Sequence, residues 1–353
     1  MLKWLIRILL VLGIVVLGGL LAIRVWPMEA YVPYELSPEE QAFVDAHAVP
    51  DFAPDWRFAT FESFDGTTLR WGETGNAATA KATLIYVPGF NGTIDAYAEQ
   101  FGLWAREGYH VVGLDMRGQG GSAGNPHGEK LPRFIRDGEV VNARDIIGFI
   151  DHLAIEDRPV ILSGSSYGGI MTTLAVLEAP GVVDAYLALV PAYLPKLPGD
   201  PAEMEAQTRR LTQLGLGDRY APDQVSWRPF TEMPDWCPTG HPRIFHQVAI
   251  HAGDPSQRVS GFTFGMAADW LQLGREIREG ARGTFKVPTT MILSPSDALV
   301  ENGPPTEVCE RDPMCDLRVW DDVSHCITLG PDADVLRVSR EADALLERLE
   351  GGA

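Results

Sequence analysis

One segment constrains the fold of this chain more than any other, because it joins a strand, a tight turn and a helix without a break. Residues 160–169 read Val-Ile-Leu-Ser-Gly-Ser-Ser-Tyr-Gly-Gly, and an apolar helical pattern follows directly. Only one frame fits Gly-x-Ser-x-Gly, with Gly164 and Gly168 on either side of Ser166, so Ser166 rather than Ser165 is the candidate nucleophile. A sharp strand-to-helix turn of this kind exposes a serine hydroxyl above a sheet, and its glycines make room for the turn. An ordinary glycine-rich turn is the alternative that the motif alone leaves open.

Strand-like and helix-like segments alternate on both sides of this turn. Short apolar runs predict buried strands, and amphipathic stretches between them predict helices. A hairpin of 56–64 and 67–73 is predicted around Asp65-Gly66. Alternation of this kind predicts an α/β fold with a mostly parallel, doubly wound sheet that carries helices on both faces. The predicted strands are 83–87, 110–114, 160–163, 183–190, 289–293 and 317–320, and the predicted helices are 96–107, 140–153 and 333–349.

The alternation stops between residues 193 and 285. This stretch is rich in proline and contains Trp227, Trp236 and Trp270. At about ninety residues it is too long for a loop. We interpret 193–285 as a helical cap, or lid, inserted over the carboxyl edge of the sheet, where open α/β folds bind their ligands. The core domain then comprises 56–192 together with 286–353.

The N-terminal segment differs in character from the rest of the chain. Sixteen uncharged residues, 8–23, lie between Arg7 and Arg24, and a tryptophan lies beyond each end. This pattern predicts a transmembrane helix that serves as an N-terminal membrane anchor, residues 1–27, with a cleaved signal peptide and a buried core helix as alternatives. The positive charge before the apolar run favours an N-terminus on the inside. We therefore expect a single-pass protein of the inner (plasma) membrane whose globule is periplasmic or otherwise extracytoplasmic.

Residues 28–55 are interpreted as a tether between this anchor and the core. Within the tether, Ser37-Pro38-Glu39-Glu40 is a capping box with proline at the first helical position. It predicts a short helix that runs to about His47.

Composition excludes several classes of function. The chain of 353 residues carries a net charge of −19 and is 45% hydrophobic, which suits a folded globule and argues against nucleic acid as a partner. The four cysteines lack a Cys-x-x-Cys pair. His241, His246 and His251 are spaced by five residues, so they do not share one face of a helix. We therefore expect no metal and no cofactor.

Cys309 and Cys315 either close a small disulfide or remain two free thiols. The oligomeric state stays open.

The candidate base and acid follow from their order in the chain. A serine hydroxyl needs a base, and the base needs a carboxylate that orients it. If the turn is the nucleophile elbow of an α/β-hydrolase, the order expected for that family is serine, acid, histidine. Of the eight histidines only His325 follows the late strands, and Asp297 follows the strand before it, with Asp321 and Asp322 as the fallback. The candidates Ser166, Asp297 and His325 thus come after three separate strands.

The loop after the strand at 83–87 is a candidate for a second part of the site. Acyl transfer needs backbone N–H donors at the position where negative charge develops on the carbonyl oxygen. One predicted donor is the N–H of Tyr167, directly after the serine. The other is predicted from Pro88-Gly89-Phe90-Asn91-Gly92, where Phe90 is preferred because proline has no N–H. A simple glycine turn is the alternative interpretation of this loop.

Several stretches give the chain a family resemblance. They are Val87-Pro88-Gly89-Phe90, the run 108–122 with its Asp-x-Arg-Gly-x-Gly-x-Ser pattern, and 164–169. Over roughly residues 60–350 the sequence resembles the α/β-hydrolases of the lysophospholipase and monoacylglycerol lipase group, in the serine aminopeptidase-like superfamily. Within the cap, Asp254-Pro255, Gly261-Phe262-Thr263 and Trp270 are similar to the bacterial lysophospholipase branch. The chain departs from the family at Pro88, where a histidine is usual before the glycine, which leaves the shape of that loop open.

The resemblance implies an α/β-hydrolase fold and a function that the residues above are suited to perform. It implies a serine hydrolase that cleaves a lipid-like carboxylic ester, a lysophospholipid or a monoacylglycerol, through an acyl-enzyme. Asp115 and Arg117 are expected to have structural roles in the loop beside the site. Two alternatives remain: a peptidase or aminopeptidase that uses the same triad, and a catalytically silent, anchored binding protein that keeps the fold.

Overall fold

Apolar runs along the chain pair into one mixed sheet of eight strands within the described residues. The computed structural model describes residues 2–25, 34–47, 52–124, 138–224, 227–229, 231–232, 234–237 and 241–351. The strands are β1 (Arg57–Glu62), β2 (Thr68–Thr74), β3 (Ala82–Val87), β4 (Tyr109–Leu114), β5 (Val160–Ser165), β6 (Ala185–Leu189), β7 (Thr289–Leu293) and β8 (Cys315–Val319). They lie in the order β1-β2-β4-β3-β5-β6-β7-β8, and all pairs from β4 onward are parallel, which confirms the predicted α/β sheet. The predicted hairpin is also confirmed, and its second strand pairs antiparallel with β4.

Helices cover both faces of this sheet. Those in the described residues are α1 (Leu2–Val25), α2 (Pro38–Ala46), α3 (Ala98–Arg106), α4 (Gly138–Leu153), α5 (Ser166–Glu178), α6 (Pro201–Leu211), α7 (His246–Gly253), α8 (Phe264–Glu279), α9 (Gly303–Arg311) and α10 (Asp332–Gly351). On one face Phe149 of α4 and Leu174 of α5 pack against the strands. On the other face Trp104 of α3 and Val338 of α10 do so. The central strands are buried on both sides, which is why they read as continuous apolar runs.

The described part of the stretch between β6 and β7 contains helices and is fixed to the end of β6. It contains α6, α7 and α8. The Trp270 Nε1–H of α8 donates a hydrogen bond to the Ala192 carbonyl at 2.6 Å. Gly274 of α8 lies so close to the Tyr193 carbonyl oxygen that a Cβ there would be 1.7 Å away. The division into a core and a cap at 193–285 stays a prediction.

Part of the expected tether packs on the globule. The capping box forms as predicted, since the Ser37 hydroxyl accepts from the Glu40 N–H at 3.2 Å and Glu40 Oε2 accepts from the Ser37 N–H at 2.8 Å. Val44 of α2 packs against Val248 and Ala249 of α7. Residues 28–33 and 48–51 of the expected tether, like 26–27 at the end of the expected anchor, lie outside the described residues.

The predicted transmembrane helix is wrong, and the expected membrane attachment and location at the inner membrane are wrong with it. Within the described residues, no helix is both long enough and apolar enough to span a bilayer. Although α1 (Leu2–Val25) is 24 residues long, the uncharged run between Arg7 and Arg24 contains only sixteen residues. A spanning helix needs about 20 apolar residues in succession.

Two disulfides cross-link the second half of the chain. Cys309 and Cys315 are joined, with a Cα–Cα distance of 5.1 Å, which decides the alternative that the sequence left open. A second disulfide, which the sequence did not predict, joins Cys237 to Cys326 across 89 residues of chain, with a Cα–Cα distance of 5.4 Å. Cys237 precedes α7, and Cys326 directly follows His325. This disulfide therefore ties the stretch between β6 and β7 to the loop after β8.

We expect the long-range disulfide to stabilise the fold more than the short one does. In the chain-entropy description, closing a loop of about 90 residues contributes about 4–5 kcal/mol, whereas a loop of about six contributes about 2 kcal/mol. Thermal unfolding of Cys237→Ala/Cys326→Ala should therefore show a larger drop in Tm than Cys309→Ala/Cys315→Ala. An equal or reversed drop would contradict the loop-length argument.

Candidate active site

The turn from β5 into α5 holds Ser166 in an unusual backbone conformation. β5 ends at Ser165 and α5 begins at Ser166, whose φ is +53°. A non-glycine residue in the left-handed region is strained, and such strain persists only where the surrounding structure fixes it. A strained serine on the turn from a strand into a helix is typical of a nucleophile elbow.

Close approach of backbone explains the two glycines that flank Ser166. A Cβ on Gly168 would lie 2.2 Å from the carbonyl oxygen of Pro88, which is backbone and cannot move aside. A Cβ on Gly164 would lie 2.4 Å from the hydroxyl of Thr172. Only glycine fits at either position, so the Gly-x-Ser-x-Gly spacing is a packing requirement of this turn.

Asp297 and His325 are in direct contact at the same edge of the sheet as Ser166. The edge is shared because β5, β7 and β8 run parallel and each residue follows the carboxyl end of one of them. His325 Nδ1 lies 2.6 Å from Asp297 Oδ2, and both side chains are buried. The other carboxylate oxygen, Oδ1, accepts from the N–H groups of Leu299 at 2.8 Å and Val300 at 2.9 Å. The buried carboxylate is thus fully hydrogen-bonded.

The fallback carboxylates lie elsewhere. Asp322 accepts two hydrogen bonds from Arg337, at 2.8 and 2.9 Å, and hydrogen bonding to that guanidinium lowers the pKa of Asp322. Asp321 is exposed. Of the three aspartates weighed from the sequence, Asp297 is the one that the structure pairs with His325.

The loop after β3 packs directly on Ser166. A Cβ on Gly89 would lie 3.1 Å from the Ser166 Cβ and 3.6 Å from its hydroxyl oxygen. The Gly92 N–H donates to the Gly89 carbonyl at 3.0 Å, and the Asn91 N–H donates to Gln119 Oε1 at 2.5 Å. No described residue accepts a hydrogen bond from the Phe90 N–H. The Phe90 amide is therefore available to a ligand.

Four aromatic rings contact one another beside Ser166 and connect the loop after β3 to α8. The Phe90 ring contacts the rings of Tyr167 and Phe262, with centroids 6.1 and 6.3 Å apart. Trp270 completes the group, at 5.0 Å from Tyr167 and 6.2 Å from Phe262. Tyr167 and Trp270 are buried, whereas Phe90 and Phe262 are half-buried. An apolar surface thus lies next to the loop.

Buried hydroxyl groups support the elbow from beneath. The Tyr86 hydroxyl donates to the Ser165 hydroxyl at 2.9 Å and lies 3.1 Å from the Thr328 hydroxyl. Burial raises the pKa of Tyr86, which keeps the phenol protonated. Because Thr328 comes three residues after His325, this network joins the elbow to the histidine loop.

Asp115 and Arg117, which were expected to have structural roles, bind backbone amides and charged side chains of the protein. Asp115 accepts from the N–H groups of Ile94 at 2.8 Å and Gly121 at 2.7 Å, and from Arg70 Nε at 2.7 Å. Burial raises the pKa of Asp115, and the charge of Arg70 opposes that shift. Arg117 pairs with Asp145 at 2.7 Å.

The histidines between β6 and β7 do not assemble into a metal site. His246 Nε2 lies 3.9 Å from a carboxylate oxygen of Glu99, and burial lowers the pKa of His246. Among the residues that the structure describes, no three histidine, cysteine, aspartate or glutamate side chains gather as metal ligands would.

Sequence reasoning missed three contributors to the surroundings of the site. Lys196 Nζ donates to the Asp297 carbonyl at 2.6 Å. Gln119 holds the loop after β3, and Cys326 anchors the residue next to His325. Gln119 lies within the Asp-x-Arg-Gly-x-Gly-x-Ser run, but that run does not indicate that its side chain binds the Asn91 N–H.

The fold and the site together define an α/β-hydrolase, and solved structures agree on the fold. A soluble variant of monoglyceride lipase from Saccharomyces cerevisiae matches with a TM-score of 0.62 at 16% identity, over 86% of this chain and 98% of that one. The monoacylglycerol lipase of Paleococcus ferrophilus matches with a TM-score of 0.59 at 18% identity, over 79% of this chain and 98% of that one.

Sequence comparison identifies the family. The family described as "Serine aminopeptidase, S33" matches residues 78–332, and the chain belongs to it, which confirms the resemblance seen in the motifs. Lysophospholipase L2 of Escherichia coli K12 is 24% identical over 219 residues, 58% of this chain and 60% of that protein. The human mitochondrial palmitoyl-protein thioesterase ABHD10 is 26% identical over 214 residues, 57% of this chain and 65% of that protein. The chain thus spans less than two thirds of the length of either relative.

We expect Gly168→Ala to disrupt the elbow. The new Cβ would meet two backbone carbonyls, those of Pro88 at 2.2 Å and Val87 at 2.4 Å, so strand and helix must separate. Overpacking of this kind destabilises by about 1–3 kcal/mol or more, and thermal unfolding should show a clearly lower Tm. Gly253→Ala is the matched control, because among the described residues no atom beyond its chain neighbours and its own helix backbone lies within 4 Å of its Cβ position. Equal Tm values for the two variants would contradict the packing argument.

Proposed function

We propose that the protein is a serine hydrolase that cleaves a lipid-like carboxylic ester, a lysophospholipid or a monoacylglycerol. The observation that carries the proposal is the strained Ser166, with φ at +53°, at the same sheet edge as the buried Asp297–His325 pair. In this proposal Ser166 is the nucleophile, His325 the base and Asp297 the acid that orients it. The N–H groups of Phe90 and Tyr167 form the oxyanion hole.

The proposed reaction proceeds through an acyl-enzyme. The hydroxyl oxygen of Ser166 attacks the ester carbonyl while His325 takes the hydroxyl proton. Negative charge moves onto the carbonyl oxygen. The intermediate collapses, the C–O bond to the alcohol breaks, and His325 returns the proton to the departing alcohol. A water molecule, deprotonated by His325, then attacks the carbonyl of the acyl-enzyme. The C–O bond to Ser166 breaks, His325 returns the proton to the Ser166 oxygen, and the fatty acid is released. Asp297 stabilises the imidazolium that forms in each half of the reaction.

Two considerations support an acyl chain as the substrate's apolar part. The half-buried rings of Phe90 and Phe262 give the site an apolar surface beside the proposed oxyanion hole. The relatives' names also share acyl-ester chemistry: a lysophospholipase, monoacylglycerol lipases and a palmitoyl-protein thioesterase. A peptidase with the same triad differs in the bond cleaved, so a panel of lipid esters and aminoacyl amides separates the two functions.

We expect Ser166→Ala to lose nearly all hydrolysis, with a fall on the order of a million-fold in kcat if the triad acts as a unit. Covalent labelling by a fluorophosphonate probe should be lost as well. Ser165→Ala is the control: it removes the hydrogen bond with Tyr86 but keeps the nucleophile, so labelling should remain. A wild-type protein that neither labels nor hydrolyses any ester of the panel would support a silent binding protein instead.

We expect Asp297→Asn to leave a folded enzyme with severely reduced turnover, by about 10⁴-fold, because an amide cannot hold the imidazole in the required tautomer. The matched control is Asp322→Asn, whose partner Arg337 lies away from the site. It should keep kcat near the wild-type value. An inactive Asp322→Asn beside an active Asp297→Asn would transfer the role of acid.

A further inference from the structure

We propose that Gln119 is a positioning residue that fixes the oxyanion loop, defined as residues 88–92, in its working conformation. The inference rests on the proposed function, because it concerns the donor that this loop offers to the reacting carbonyl. Gln119 is not expected to contact the substrate. It acts through its hydrogen bond with the N–H of Asn91.

The oxyanion loop contains a tight turn that depends on one unfavourable backbone conformation. The Gly92 N–H donates to the Gly89 carbonyl at 3.0 Å, which closes a four-residue β-turn with Phe90 and Asn91 at its centre. Asn91 has a φ of +59°, the conformation that a type II turn requires at its third residue. Asparagine tolerates this conformation better than most residues but, unlike glycine, does not adopt it freely.

The turn determines the direction of the candidate donor. The Gly89 carbonyl and the Phe90 N–H belong to one planar, trans peptide, so they point in opposite directions. Because the carbonyl is held by Gly92, the Phe90 N–H is directed away from the interior of the turn. The Phe90 ring, placed by the same turn, contacts Tyr167 and Phe262.

Gln119 holds the central peptide of that turn. Its side-chain carbonyl accepts from the Asn91 N–H at 2.5 Å. The peptide between Phe90 and Asn91 is the one that rotates when a type II turn relaxes to type I, and this rotation would relieve the positive φ of Asn91. The left-handed conformation costs a non-glycine residue about as much as one hydrogen bond contributes, so removing the acceptor releases the loop.

Gln119 is itself held on a rigid support. Its N–H donates to the Met116 carbonyl and its carbonyl accepts from the Ser122 N–H, both at 3.0 Å, and only 4% of the residue is exposed. Asp115 accepts from the N–H groups of both Gly121 and Ile94. The turn that carries Gln119 and the chain just after the oxyanion loop are therefore joined through one buried carboxylate.

The test compares two substitutions at Gln119. Gln119→Met has similar size but no strong acceptor, whereas Gln119→Glu keeps an acceptor oxygen. Thr83→Val is the stability control, because it removes side-chain hydrogen bonds with His110 and Arg158 at the opposite end of β3. The readouts are kcat and KM on a water-soluble ester, the inhibition constant of an alkyl trifluoromethyl ketone that mimics the tetrahedral intermediate, and Tm.

We expect kcat to fall by about 10- to 100-fold in Gln119→Met, less than the 10²–10³-fold typical of a deleted oxyanion donor. KM should stay within about twofold, and affinity for the ketone should fall in parallel with kcat. Gln119→Glu should recover most of the loss. Asn91→Gly in the Gln119→Met background should recover part of it, because glycine adopts the positive φ without cost. If Gln119→Met does not fold, Gln119→Asn replaces it in the comparison with Gln119→Glu, because the shorter asparagine side chain cannot reach the Asn91 N–H.

The role of Gln119 would be overturned if kcat of Gln119→Met were within about twofold of the wild-type value. It would also be overturned if Thr83→Val, with the same Tm as Gln119→Met, lost as much kcat. A rise in KM at unchanged kcat would overturn it as well. A wild-type protein that hydrolyses no ester and reacts with no fluorophosphonate would overturn the proposed function and this inference together. An active wild type with an unimpaired Gln119→Met would overturn only the inference.

Discussion

The close contact between the β5–α5 turn and the loop after β3 is the constraint on which the site depends. Gly168 lies against the carbonyls of Val87 and Pro88, and Gly89 lies against Ser166 itself. Two backbones this close leave no room for side chains, and the positive φ of Ser166 is maintained because both segments continue from fully buried parallel strands. The strain on the serine and the proximity of the candidate oxyanion amide are thus one structural feature, because the same packing produces both.

The Asp297–His325 pair depends on a different part of the sheet. Asp297 follows β7 and His325 follows β8, and the Ser294 hydroxyl joins these two loops by donating to the Val323 carbonyl at 2.6 Å. A buried carboxylate is tolerated only when its oxygens are satisfied, and Asp297 meets this condition through the imidazole and two backbone amides. The hydrogen bonds that fix the pair therefore do not involve Ser166, and the parallel sheet brings the two halves of the site to one edge.

The sequence predicted the parts of the structure that depend on local pattern. The strand expected at 83–87 is Ala82–Val87, because burial on both faces leaves a continuous apolar run. Chain order favoured Asp297 as the acid, with Asp321 and Asp322 as the fallback, and Asp297 is the aspartate in contact with His325. The Cys237–Cys326 disulfide and the contact of Gln119 with Asn91 were not predictable. Each joins residues far apart in the chain, and no local sequence pattern indicates which residues pair. The transmembrane prediction was wrong because the uncharged run between Arg7 and Arg24, sixteen residues, is shorter than a bilayer span requires.

The described part of the stretch between β6 and β7 is bonded to both halves of the site. Trp270 of α8 donates to the Ala192 carbonyl, and the Ala192 N–H donates to the carbonyl of Ser166. At the other side, the disulfide to Cys237 holds the residue next to His325. Hydrogen bonds and a covalent bond therefore connect this stretch to both halves of the site, and moving it as a rigid unit would displace the serine or the histidine.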